Sequence, residues 1–318
     1  MTIANKPTLN DICAPIDPEL KAFSTRLEKE LSSQDPLIRG IHEHLLKMTG
    51  KFLRPMLAIL SSRIENKKSE QVIPLAVAIE LIHTATLVHD DIIDDSEFRR
   101  NQPSIHSKWG REISIVSGDY LYAKAFMLLA GFKDTRIGQA FATCAHVMCE
   151  GEMKQIEKRS QFHMSEAEYL KIIHQKTAAL FQAACMGGAY FSGAGTDTIE
   201  RMGRYGFGLG MAFQIVDDCL DLTGETETLG KKAGLDLHKN EVTLPLLYLY
   251  SELNETERKS LSEESIKALA VEKKAISRAL QKAREYAEKA AEELRPLKDT
   301  PYKESLRNLT EYCLERIK

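Results

Sequence analysis

Apolar residues in this chain recur mostly at three- and four-residue steps, as in YLKIIHQKTAALFQAACMGGAYF. That is the period of a helix with one buried face. Strand-like alternation is nearly absent. No proline falls between Pro103 and Pro245, so the main helix breaker is missing from the middle of the chain. The same period runs through Val72–Leu87 and Glu264–Leu294. Breaks rich in turn-forming and charged residues fall at 65–70, 97–104, 158–165, 222–239 and 254–262. The pattern predicts an all-α chain of ten or more helices, several of them long and buried. We expect one domain over 1–318, with 1–16 as a loose N-terminal segment. Between residues 255 and 298 the abundant Lys and Glu read as solvated faces of amphipathic helices.

Composition narrows the function classes. The chain is 43% hydrophobic and 28% charged, with a formal net charge of −3, the balance of a globular protein with a sizeable core. There is no basic excess of the kind a nucleic-acid binder shows. No apolar run near 18 residues is evident, and the N-terminus lacks a charged-then-apolar layout, so neither a spanning helix nor a signal peptide is expected. The six cysteines are scattered without a CxxC pair and read as reduced core residues of a cytoplasmic protein.

The chemistry begins at LVHDDIIDDSEFRR. Asp90, Asp91 and Asp94 form DDxxD at the end of an apolar stretch. On a helix Asp90 and Asp94 share a face, while Asp91 is turned about 100° and need not join them. Acids that end a buried helix are costly unless paired or metal-bound. FQIVDDCLD repeats the motif with Asp217, Asp218 and Asp221, again after an apolar stretch, Arg204–Val216. Two such motifs suit a hard cation such as Mg2+ shared with phosphate and water. Bases accompany them: Arg99 and Arg100 after the first motif, Lys51 and Arg54 in TGKFLRP, Lys176 in KTAAL, Lys231 and Lys232 in LGKKAG. Arginine suits bidentate phosphate contacts and lysine a point charge. The set suggests a site for two diphosphates, only one of which needs metal.

With GKFLRP, ELIHTATLVHDDIIDDSEFRRNQPSIH, SGDYL, EGEMKQ, HQKTAALF, FQIVDDCLD and LGKKAGLDL…TLP in that order, the chain resembles the trans-isoprenyl diphosphate synthases, or polyprenyl synthetases, from about Asp17 onward. The long-chain bacterial members, which make prenyl tails for quinones, are the most similar branch. The resemblance implies a bundle of helices around a central elongated cavity. It implies that Asp90, Asp94 and Asp217, with Asp91, Asp218 and Asp221 beside them, bind about three Mg2+ ions and the allylic diphosphate. Arg99, Lys176 and Lys231 would hold that same diphosphate. Lys51, Arg54, His83 and Arg100 would hold isopentenyl diphosphate without metal. Thr177 and Gln214 would sit near the developing cation. His83 lies two turns before Asp90 on the same face; His42 and His44, on different sides of their helix, are expected to be exposed. The family also implies a homodimer. A catalytic subunit that needs a small partner chain, or a terpene cyclase, are the alternatives.

The family pattern is not matched everywhere. Phe52 stands where the family has a further basic residue. RRGxP reads RRNQP, and Asn101 can take the left-handed conformation of the glycine. Where many relatives have Gly-Lys before TLP, this chain has Asn240 and Glu241. Product length in the family is set along the helix before the first motif. Ala85 and Thr86 are small, and Ile82, Glu80 and Ile79 in the preceding turns add no ring. From Pro74 to Asp90 is about 24 Å of helix, room for about five or six isoprene units. Phe126 or Phe141 could close the floor, giving a product of about six to eight units.

Overall fold

The computed structural model describes residues 7–48, 50–161, 163–223, 241–259 and 261–315. It is all-α, as the periodicity predicts. Helices run α1 (Leu9–Cys13), α2 (Asp17–Glu30), α3 (Pro36–Lys47), α4 (Leu53–Ser62), α5 (Val72–Ile93), α6 (Ile105–Trp109), α7 (Arg111–Ala130), α8 (Thr135–Glu157), α9 (Glu166–Ile173), α10 (Ala179–Phe191), α11 (Thr196–Thr223), α12 (Leu244–Glu252), α13 (Glu255–Lys259), α14 (Glu263–Glu272), α15 (Ala275–Leu294) and α16 (Pro301–Glu315). The strands are β1 (Phe98–Arg99) and β2 (Gln102–Pro103), a minimal antiparallel hairpin with Phe98 opposite Pro103.

The core is organised around α5 and α11. From Leu75 to Ile82 every residue of α5 is buried, because α4, α7 and α10 all pack on it. A helix covered on all sides shows little amphipathic character. α15 is the opposite case. Ala275, Ala279, Ala283, Ala287 and Ala290 form one buried stripe that lets it lie close on α11, while Glu285, Glu288, Lys289 and Glu292 are exposed and Glu293 bonds back to Arg204 of α11. The expected solvated face is therefore present.

Several sequence expectations change. The segment read as loose is helical from Leu9, and Ile12 and Ile16 are fully buried. α13 occupies part of the break expected at 254–262. The break at 222–239 lies almost wholly outside the described residues. α5 and α7 prove long and apolar enough to cross a membrane by length and composition alone, contrary to the sequence reading. Burial in the core accounts for the apolar character of α5. Of the six cysteines, all free, Cys149 is exposed and Cys13 half-buried, so not all are core residues. His42 and His44 are buried, not exposed. Each has found a carbonyl: His42 Nδ1 donates to Leu31 O and His44 Nε2 to Pro103 O, both at 2.7 Å. A satisfied imidazole can be buried at little cost.

Candidate active site

Both acid motifs end long helices, where the aligned peptide dipoles are negative. Asp90 lies in the last turn of α5 with Asp94 as its C-cap; Asp217 and Asp218 lie in the last two turns of α11. All four line one cavity of about 990 Å³. Backbone and side chains thus concentrate negative potential at the same place. Burial pushes the Asp90 carboxyl up to about 7, with Glu152 and Asp94 adding to the rise against Lys176. Burial likewise pushes Asp218 up to about 7, although Tyr169 and Gln214 donate to it at 2.5 and 2.7 Å. Asp91 and Asp221 do not face this cavity and are 2% exposed. Asp91 instead takes a forked contact from Arg99, whose Nε reaches both carboxylate oxygens at 2.8 and 2.9 Å and whose Nη2 reaches Oδ1 at 2.7 Å. The offset of about 100° read from the sequence is real, and it gives Asp91 to Arg99.

Among the described residues no cluster of three or more His, Cys, Asp or Glu could by itself hold a metal ion. Facing carboxylates that do not close a cage suit a hard cation that completes its shell with phosphate oxygens and water. The donor set therefore fits Mg2+ bound together with a diphosphate.

Lys176 reaches this wall from a single π-helical turn, His174–Ala178, between α9 and α10. Such turns re-aim a side chain within a continuous helix. Its Nζ pairs with Glu152 Oε2 at 2.5 Å. Burial alone would lower its pKa, but Asp90, Glu152 and Glu241 outweigh that and raise it, so the ammonium stays charged. Next to it Thr177 Oγ1 donates to Gln214 Oε1 at 2.8 Å, and Gln214 passes its amide to Asp218. Two glycines make room for this turn. A Cβ on Gly151 would lie 2.7 Å from Lys176 N, and one on Gly210 would lie 2.7 Å from Ala178 Cα. Gly151→Val must displace backbone, so we expect about a hundredfold loss of turnover from misplacement of Lys176. Circular dichroism should show the helical fold retained. Unchanged kinetics would remove the argument.

A second basic group lines the same cavity: Lys51, Arg54, His83 and Arg100. Arg54 Nη1 donates to His83 Nε2 at 3.1 Å and stacks on the Phe181 ring at 4.6 Å. Burial drives the His83 pKa well down, helped by Arg54 and Arg100, so its imidazole is neutral. Glu80 beneath them is pushed up to about 7 by burial, opposed by Arg54 and Arg100. Arg100 Nη1 donates to Met48 O at 2.6 Å, and Lys51 Nζ to Tyr312 Oη at 2.8 Å. The hairpin aims both arginines. Arg100 and Asn101 have φ of 50° and 61°, and asparagine tolerates that conformation well. His44 ties the hairpin's Pro103 to α3. Phe52 also has positive φ and packs edge-on against Phe23, 5.1 Å between centroids. It also lines the cavity but offers no phosphate donor.

Of the residues proposed to set length, Thr86 lines the cavity. Ala85 and Ile82 are fully buried beside it without facing it. Phe126 is one ring removed: it stacks on Tyr122 at 6.2 Å, and Tyr122 lines the cavity. Phe141 is buried against the space at Gly187. The sequence reading missed Tyr122, Met148, Glu152, Tyr169 and Tyr312, all of which line the cavity. Glu152 lies inside EGEMKQ, whose place between two site motifs was the available signal. Lys231 and Lys232 lie outside the described residues.

The polyprenyl synthetase family profile matches residues 35–283. The chain is 33% identical to an octaprenyl diphosphate synthase of Haemophilus influenzae over 97% of each chain. It is 40% identical to heptaprenyl diphosphate synthase component 2 of Geobacillus stearothermophilus over 74% of this chain and 73% of that one. A polyprenyl synthase from Caulobacter crescentus, solved with calcium and isoprenyl diphosphate, superposes with a TM-score of 0.93 at 32% identity, covering 98% of each chain. This chain belongs to the polyprenyl synthetase family and is an enzyme of the prenyltransferase class.

Proposed function

We propose that the protein condenses isopentenyl diphosphate with an allylic diphosphate of the farnesyl or geranylgeranyl type. The product is an all-trans polyprenyl diphosphate of about six to eight units, following the helix-length argument above, for a quinone side chain. One observation carries the reading: carboxylates from both acid motifs and two sets of bases face a single cavity, which suits one metal-dependent and one metal-free diphosphate.

Asp90, Asp94 and Asp217, with Asp218 behind them, would hold the Mg2+ ions, of which we propose about three. When bound, Mg2+ neutralises charge on the departing diphosphate. Lys176 adds its fixed positive charge to the same oxygens, together with Lys231, and Arg99 completes that wall. Lys51, Arg54 and Arg100 orient isopentenyl diphosphate, and neutral His83 offers a hydrogen bond without further charge. As the allylic C1–O bond breaks, the isopentenyl double bond forms the new C–C bond, and the C2 proton passes to the departed diphosphate. The Thr177 and Gln214 oxygens would stabilise the developing carbocation, and the buried walls would exclude water that quenches it.

Long-chain names among the relatives and the small side chain of Thr86 support the product length. The exposed apolar residues Ile115, Val116 and Met127 on α7 support a homodimer. A catalytic subunit working with a small partner chain is the second reading, favoured by the likeness to a component 2. We place the enzyme in the cytoplasm.

The purified chain alone, given farnesyl diphosphate, isopentenyl diphosphate and Mg2+, should yield one long polyprenol after dephosphorylation, sized by mass. Substrate binding without turnover would favour the partner-dependent subunit. A cyclic hydrocarbon from allylic diphosphate alone would favour a cyclase. Thr86→Phe places a ring about 6 Å, one helical turn, from Asp90 and should shorten the product to about C15–C20. An unchanged product would show that the chain does not run along α5.

A further inference from the structure

Arg159 follows α8 directly. Its Nη2 donates to Asp94 Oδ1 at 2.7 Å and to Glu241 Oε1 at 3.3 Å. Its Nε is buried without a hydrogen-bond partner. One guanidinium therefore joins the end of α5, the turn after α8 and the segment before α12. Asp94 and Glu241 both line the cavity, with side chains 14% and 12% exposed. The neighbouring cations are engaged elsewhere, Arg99 by Asp91 and Lys176 by Glu152. Arg159 is thus a cationic partner of a cavity-facing DDxxD carboxylate, and it holds an oxygen that a divalent cation would need.

Resting on the function proposed above, we propose that Arg159 and Glu241 belong to the metal–diphosphate site. Arg159 is the counter-cation of Asp94 until a divalent cation takes that carboxylate. Glu241 then keeps the released guanidinium at the cavity wall, where Arg159 turns its donors to the diphosphate. An arginine suits this exchange. Its fork carries five donors, and only Nη2 is used on the two acids. Glu241, the residue at which the sequence departs most sharply from the family pattern, thereby has a positive role. Without Arg159 it would add a further negative charge to a wall already rich in carboxylates.

The test is calorimetric binding of Mg2+ alone, and of inorganic pyrophosphate in Mg2+, to the full chain. Arg159→Gln removes the competitor for Asp94 and a diphosphate donor together. Mg2+ alone should bind about fivefold tighter, while pyrophosphate in Mg2+ should bind about tenfold weaker, the scale of one charge-assisted hydrogen bond. Glu241→Gln leaves Arg159 wholly on Asp94 and should weaken Mg2+ binding about threefold. A general structural role would move both affinities the same way. Parallel weakening, or no change in either variant, overturns the proposal. If Arg159→Gln does not fold, the near-isosteric Glu241→Gln carries the decision by its sign. Absence of Mg2+-dependent pyrophosphate binding in the unaltered chain would overturn the metal–diphosphate reading itself, and this inference with it.

Discussion

Asp90→Asn is expected to lower turnover by about a thousandfold, the loss typical of one preorganised electrostatic partner in an enclosed site. The substitution keeps the size of the side chain and removes only its capacity for charge. It should also act on stability in the opposite direction. Burial raises the Asp90 pKa well above its ordinary 3.8. An acid whose folded pKa is raised destabilises the native state at pH above its unfolded value, because the unfolded chain ionises it more readily. In metal-free buffer at pH 8 the variant should therefore melt higher than the parent, and the gap should close as the pH falls toward 4. Added Mg2+ with pyrophosphate should stabilise the parent far more than the variant. A variant that melts lower at pH 8 and still responds to Mg2+ would remove Asp90 from the metal site.

Lys176→Ala should be the second large effect, with turnover falling about a hundredfold or more. It also breaks a pair whose two side chains are 24% and 15% exposed, leaving Glu152 uncompensated close to Asp90. Breaking one member of a largely buried pair is the destabilising case, so the melting temperature should drop. The double variant Lys176→Ala, Glu152→Gln separates the two roles. It should recover much of the melting temperature and little of the activity, measured side by side. Recovery of both would make Lys176 a structural counter-ion to Glu152 and nothing more.

The helical period made α5, α10, α11 and α15 legible, because apolar residues recurring at three- and four-residue steps without strand alternation have few other ways to be buried. It also placed Asp90 and Asp94 on one face and Asp91 off it. Boundaries were less legible. α11 begins at Thr196 and runs to Thr223, well beyond the Arg204–Val216 expected, since polar residues in a long helix obscure its ends. His42 and His44 show the same limit from the other side. Their side chains look like surface groups until Leu31 and Pro103 offer carbonyls to them.

The sequence by itself determined the all-α class, the two acid motifs and the bases that accompany them, because each is legible from residues a few positions apart in the chain. Only the tertiary structure decided which partners these groups face. Asp90 and Asp217 are 127 positions apart and meet across one cavity. Arg159 reaches Asp94 over 65 positions and Glu241 over 82, and Phe126 stands behind Tyr122 at the wall. Periodicity tells which face of a helix is buried; what lies opposite that face is fixed by how the helices pack.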